Sequence, residues 1–334
     1  MSTSSASWTS DRCLFALPRD LAAAARVRVL PVGFDATASY GKGTAKAPER
    51  VLRASQQVDL FDPVFGDAWR AGIALEPADG RLAGWNRDAS GAAARAVALW
   101  ERGAPVADRL DDIGIVDRVT SALAKHLREG VGALLDGGHI PGVLGGDHSV
   151  ALGGLQAALD RTPGLGVLQI DAHADLRPSY QGFRHSHASI LHNVLAHDPA
   201  PTCVVQVGLR DLSAEEWAFA TAHPALHPNL ARDLEGVAWI DRALAPLPQD
   251  LWITFDIDGL DPTLCPATGT PVPGGLDWRQ AMTLLEVVAR RGHRVVGFDL
   301  TEVGNAEWDA NVGARLLLKL ATLALITQPS ESGP

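Results

Sequence analysis

The sequence predicts one α/β domain built on a parallel sheet covered by helices on both faces. Two observations lead there. Short runs of apolar and β-branched residues recur along the chain and read hydrophobic throughout instead of alternating, as strands buried on both faces do. Helix-capable segments separate most of these runs, and a strand–helix alternation of this kind favours parallel pairing. No internal repeat and no long linker divides the chain. Its 334 residues, 46% of them hydrophobic, suffice for a sizeable core.

The elements follow in order. Residues 1–20 are expected to form a flexible N-terminal segment, rich in Ser and Thr up to Cys13, and residues 21–330 the domain. Residues 27–34, VRVLPVGF, read as a first buried strand. Residues 39–55, SYGKGTAKAPERVLRAS, read as a Gly-rich loop feeding a helix with Pro48 in its first turn. Residues 84–128 carry helical spacing. Within 114–138 an amphipathic helix is expected to end at Gly137 and Gly138. Further strands are expected at 141–146, 166–170, 203–208, 236–240, 251–255 and 294–300, with helices between most of them, such as 149–159 and 277–291.

Charge and composition narrow the function. The formal net charge is −10 and no block of Lys and Arg is present, so a nucleic-acid partner is not expected and a cationic substrate is mildly favoured. No apolar run approaches the roughly 20 residues of a membrane span, and the N-terminus lacks the apolar stretch of a secretory signal. The three cysteines form no C-x-x-C pair. A cytoplasmic location, with no membrane association, is expected.

In a parallel sheet, chemistry collects at the carboxyl ends of the strands. Asp147, His148 and Ser149 follow the run at 141–146. Asp171, His173 and Asp175 follow 166–170, Asp256 and Asp258 follow 251–255, and Glu302 follows 294–300. In extended backbone, alternate side chains share a face, which would aim Asp171, His173 and Asp175 together and likewise Asp256 and Asp258. Singly, each motif is equally well an exposed edge, a helix cap or an Asx turn. Together they bring six carboxylates and two imidazoles to one edge, where like charges at about 4 Å repel by roughly 1 kcal/mol even in water. Bound cations resolve this, and a two-metal site with bridging carboxylates fits the number of ligands. Oxygen and imidazole donors without thiolate favour Mn²⁺, with Zn, Fe, Co and Ni as alternatives. His187 lies in the loop after Asp175, with His185 as its competitor; His139, His192 and His197 read as surface residues. No phosphate-binding loop and no G-x-S-x-G nucleophile is present.

The motifs GGDHS, DAHADLR, SHAS, FDIDGLDP, PATGTPVPGGL and DLTEV, in this order, resemble the ureohydrolase family of arginase and agmatinase. The resemblance runs from about Val27 to about Leu320, and the histidine loop is similar to the agmatinase branch. It implies a three-layer αβα domain with a central eight-stranded, mainly parallel sheet, assembled as a homotrimer or homohexamer. It also implies two Mn²⁺ per subunit, one held by His148, Asp171, Asp175 and Asp256, the other by Asp171, His173, Asp256 and Asp258. A water-derived hydroxide would attack a guanidinium carbon and release urea and an amine. Asp175 would hold the hydroxide, Glu302 would pair with the guanidinium, and His187 would shuttle the proton to the leaving amine. The implied substrate is a small cationic guanidino compound, foremost agmatine, which would give putrescine. Arg184, just before the histidine loop, keeps open a carboxylate-bearing substrate such as guanidinobutyrate or arginine. Formimidoylglutamate hydrolysis and a metal-bound regulatory subunit are the further alternatives. The sequence departs from the family pattern at Ala188–Ser189, at His192–Asn193 and after Glu302, where VGNAEWD follows.

Overall fold

The computed structural model describes residues 13–329. Eight strands form one sheet: β1 (Val27–Pro31), β2 (Ile73–Leu75), β3 (Ile140–Leu144), β4 (Gly166–Ile170), β5 (Cys203–Leu209), β6 (Leu226–Leu230), β7 (Asp250–Asp256) and β8 (Arg294–Thr301). Ten α-helices accompany them: α1 (Arg19–Ala23), α2 (Ala47–Ser55), α3 (Arg81–Glu101), α4 (Leu110–Asp136), α5 (Ala151–Arg161), α6 (Ile190–Leu195), α7 (Ala214–Ala222), α8 (Ile240–Leu244), α9 (Trp278–Arg290) and α10 (Glu307–Ile326). The strand order is β2-β1-β3-β8-β7-β4-β5-β6, and every pairing is parallel.

Each inner strand sends alternate side chains to opposite faces, and both faces are apolar. Leu168, Ile170, Val205, Ile253 and Phe255 pack toward α2, α8, α9 and α10. Val167, Val204 and Trp252 pack toward α3 through α7. That makes three layers. Trp252 is fully buried, and Gly297 makes room for it: a Cβ there would meet the indole at 2.3 Å. The helices begin and end where local chemistry allows. Pro48 lies in the first turn of α2, Asp277 and Gln280 form a capping box at α9, and α4 stops at Gly137 before Gly138 at φ +76°.

Three expectations need correction. Residues 236–240 are not a strand; they lead into α8, with Trp239 and Ile240 buried. The strand lies instead at β6, a sheet edge that tolerates Pro228 because it pairs only with β5. The other edge, β2, has no counterpart among the expected strands. Of the segment expected to be flexible, residues 1–12 lie outside the described residues. From there on the chain is packed: Leu14, Phe15 and Leu17 are buried in the core, and the Phe15 amide donates to Ser55 Oγ at 3.0 Å.

The register positions the site. Leu144 stands opposite Leu300, Leu300 opposite Phe255, and Phe255 opposite Ile170. The four central strands β3, β8, β7 and β4 therefore end level, and the residues that follow each of them meet along one edge.

Candidate metal centre and active site

His148 opens a short 3₁₀ turn after β3, before α5. Its Nδ1 lies 2.9 Å from Asp175 Oδ2, 3.1 Å from Asp171 Oδ2 and 3.5 Å from Asp256 Oδ2. His173 Nδ1 lies 3.2 Å from Asp258 Oδ2 and 3.5 Å from Asp171 Oδ1. Two groups of potential ligands result, His148–Asp171–Asp175 and Asp171–His173–Asp258, each with ligand atoms within 4.8 Å of one another and with Asp171 in common. The six residues read from the sequence thus converge. They do so by a different route from the pleat expected. β4 ends at Ile170, Asp175 sits at φ +55°, and Asp258 lies in a 3₁₀ turn whose amide donates to Asp256 Oδ1 at 2.9 Å. Tight turns aim these carboxylates inward, and backbone amides hold them: Asp171 Oδ1 accepts from His173 N at 2.6 Å and Asp258 Oδ1 from Ala172 N at 3.1 Å.

This arrangement is electrostatically costly without a cation. Burial first, and then Asp258 and Asp171, pushes Asp256 well above the usual carboxylate range. Burial and Asp171 bring Asp175 up to about 7. Burial disfavours a charged His173, but Asp258 and Asp171 outweigh it and raise the imidazole to about 12. His148 is likewise raised, by Asp171 and Asp175 against burial. Protons thus do what divalent ions would do better. His148 Nδ1 is fully buried and makes no hydrogen bond, so once its proton is displaced a lone pair faces the point where the carboxylates converge. Hard oxygen donors with two imidazoles suit divalent ions, and no thiol competes: Cys265 is turned away onto Ile257 O at 3.1 Å, and burial pushes its thiol up, far from a thiolate.

Glu302 follows β8 at φ +56° and is buried. Its Oε1 accepts from His148 N at 3.0 Å, while Oε2 has no partner among the described residues. A Cβ on Gly269 would stand 2.9 Å from that oxygen, so the glycine leaves the space before it open. His187 starts another 3₁₀ turn, capped by Ser186. Its Nε2 lies 3.3 Å from Ser39 Oγ and its Nδ1 3.2 Å from Ser186 Oγ. Burial, reinforced by His173, pushes it down to about 3, so the ring is neutral. Asp147 ligates nothing in the cluster. It accepts from Thr37 N at 2.8 Å, Thr37 Oγ1 at 2.9 Å and both donors of Ser149, and Thr37 Oγ1 accepts from His187 N at 3.0 Å. The aspartate of GGDHS therefore ties the loop after β1 to the histidine loop.

The Arginase family model matches residues 25–326. The chain belongs to the Arginase family. It is 34% identical over 299 residues to an N(1)-aminopropylagmatine ureohydrolase of Thermus thermophilus, covering 88% of each chain. It is 30% identical over 198 residues to an agmatinase of Bacillus subtilis, covering 58% of this chain and 67% of that one. The solved agmatine ureohydrolase of Thermoplasma volcanium shares the fold, with a TM-score of 0.69 over 90% of both chains at 23% identity. As an arginase-family member with ureohydrolase relatives, the protein is a hydrolase, and the His/Asp cluster is its candidate metal centre.

A cavity of about 440 Å³ opens beside the cluster of this arginase-family enzyme, walled by Tyr40, His173, Arg177, Tyr180, His187 and Asp211 among others. Arg184 does not line it. Its side chain is exposed, its amide donates to Asp117 on α4 at 3.0 Å, and its carbonyl accepts from Asn193. Sequence proximity to His187 is misleading here because the loop turns outward at that point. His185 likewise faces α4, 3.3 Å from Ser121 Oγ, which leaves His187 as the histidine of that loop at the cavity. Arg177, inside the quoted DAHADLR motif but not singled out, is the arginine on the wall. Its guanidinium is committed to Glu216 at 3.1 Å and stacks over Tyr180 at 4.7 Å.

The α3–α4 hairpin, whose role was not legible in the sequence, supports both loops around the cavity. Phe183 packs among Ala92, Ala93, Ala96, Ile113 and Val116. Arg109 donates to Gln181 O at 3.1 Å. On the other side, Asn86 of α3 accepts from Asp35 N at 2.8 Å and donates to its carboxylate at 3.1 Å.

Proposed function

We propose that the protein hydrolyses a linear guanidino compound with a cationic tail, agmatine or its N1-aminopropyl derivative, to urea and an amine at a two-Mn²⁺ centre. The observation that carries the choice of tail is the charge of the cavity wall. Among the described residues its one Lys or Arg is Arg177, already neutralised by Glu216, while Asp211 is 69% exposed beside Tyr40 and Tyr180. A tail ammonium finds a carboxylate and aromatic faces there. The carboxylate of arginine, guanidinobutyrate or formimidoylglutamate finds no free cation. The relatives from Thermus thermophilus and Bacillus subtilis named above carry these two substrates in their names.

His148, Asp171, Asp175 and Asp256 would hold one ion, and Asp171, His173, Asp256 and Asp258 the other. When bound, the ion pair supplies the Lewis acidity that yields hydroxide from water near neutral pH. The chain's own residues do the rest. The free Oε2 of Glu302 accepts guanidinium N–H groups and fixes the planar cation over the centre, which converts encounter into orientation. Asp175 accepts a hydrogen bond from the attacking water. His187, neutral and flanked by two serine hydroxyls, passes a proton toward the leaving amine without storing one. A homotrimer or homohexamer in the cytoplasm accompanies this proposal.

The test is product release by the Mn²⁺-loaded protein from agmatine, N1-aminopropylagmatine, guanidinobutyrate, arginine and formimidoylglutamate, reading urea and formamide separately. Urea from the first two alone supports the reading. Urea only from carboxylate-bearing compounds would move the specificity to another cation, and formamide would overturn urea formation altogether.

A further inference from the structure

A buried hydrogen-bonded line runs from the sheet to the candidate metal centre, and of its members only His148 enters the reaction described above. His148 Nε2 lies 2.8 Å from Thr254 Oγ1. Thr254 Oγ1 donates to Asp299 Oδ1 at 2.8 Å, and Trp252 Nε1 donates to Asp299 Oδ2 at 2.7 Å. Thr254, Trp252 and Asp299 are fully buried, and His148 is 1% exposed. Thr254 and Trp252 belong to β7, Asp299 to the neighbouring β8, and Thr254 and Asp299 are paired in register.

The donor inventory gives the line a direction. The indole only donates, and a hydroxyl has one proton. With the proton of Thr254 committed to Asp299, its oxygen must accept from His148, so Nε2 carries hydrogen. The nitrogen left for a ligand is Nδ1, the one that faces Asp171 and Asp175 and has no hydrogen bond of its own. We propose that Asp299 and Thr254 are positioning residues that fix the tautomer and ring orientation of His148 and so set the affinity for the divalent ion held there. This rests on the binuclear-metal reading. The device uses strand geometry: because β7 and β8 are rigid central strands, the imidazole is aimed by the sheet and not by the loop that carries it.

The experiment is a Mn²⁺ titration of chelator-stripped protein by calorimetry, with metal analysis after gel filtration and the electron paramagnetic resonance signal of the exchange-coupled pair, on wild type, Thr254→Val, Thr254→Ser and Asp299→Asn. Thr254→Val keeps the shape and removes the hydroxyl. It is expected to weaken one of the two ions by about 10–100-fold and to convert the coupled signal to that of an isolated ion. Thr254→Ser, which restores the hydroxyl, is expected to recover both ions, and Asp299→Asn to weaken the same ion. Two tightly held ions in Thr254→Val or in Asp299→Asn would overturn the proposal, as would equal loss of both ions that Thr254→Ser does not rescue. If Thr254→Val does not fold, Asp299→Asn decides on the same readouts. Wild type that binds no divalent ion would overturn the metal reading itself, whereas two ions in wild type and in every variant would overturn the positioning role alone.

Discussion

Glu302 and Asp175 share an unusual backbone. Both occupy the left-handed region, at φ +56° and +55°, where a residue with a side chain gives up about 1–3 kcal/mol. Each carboxylate is turned inward by that conformation, so strain is concentrated where charge must be aimed. Glu302→Ala is expected to leave both metal ions in place and to abolish guanidinium binding. Calorimetry with a guanidino inhibitor, alongside metal analysis, checks this. Asp258→Ala is expected to lose metal and activity together, since Asp258 also anchors Ala172 N and accepts from Thr270 Oγ1 at 3.2 Å; full activity with one ion per chain would refute the two-metal arrangement. His187→Ala is expected to lower kcat more than metal content. Because burial holds His187 down to about 3, its ring should stay neutral across the physiological range, which an NMR titration of the imidazole reads directly.

Among the elements, the α3–α4 hairpin is the one whose contribution could not be read along the chain. Its small residues at Ala92, Ala93 and Ala96 make the seat for Phe183, and Phe183 lies between Tyr180 and His187, both of which wall the cavity. Phe183→Ala should cost about 3–5 kcal/mol, as deletion of a buried ring does, and should raise KM while two metal ions remain. Unchanged kinetics in a folded variant would show that the hairpin merely covers the sheet. The two edge strands escaped the sequence reading for one physical reason. β2 is three residues long, and β6 is half-buried with Pro228 and Asn229 in it. Neither needs the continuous apolar run that burial on both faces imposes on β3, β4, β5 and β7.

For the molecule as a whole, metal and proton compete for one set of charges. His148 and His173 are raised above the ordinary imidazole value, so the metal-free site is protonated at neutral pH, and an ion must displace those protons. Metal affinity should therefore rise with pH, and calorimetry in buffers of different ionisation enthalpy should show proton release. The sign for folding follows. A histidine raised to about 12 stabilises the metal-free fold fully below its unfolded value near 6.5, and that contribution is lost as pH climbs toward 12. The gap in Tm between Mn²⁺-loaded and chelated protein should widen from about pH 6 to about pH 8.5, with bound ions contributing about 2.7 kcal/mol at a free concentration of a hundred times Kd. A gap that narrows would contradict this account. Among the described residues no helix is long and apolar enough to cross a membrane. Light scattering of the purified protein tests the trimer or hexamer.

The layered α/β class, the central strands and the six candidate metal-centre residues were legible along the chain, because the candidates follow apolar runs within a few residues and such runs in a parallel sheet end at a common edge. The tertiary structure decided what depends on how loops fold back. It placed Arg177 and not Arg184 on the cavity wall, put Asp147 to work holding His187 in place, and joined Asp299 and Thr254 to His148. These residues are brought together across 39 to 150 positions by strand order and loop closure, and local pattern carries no information about which loop turns inward.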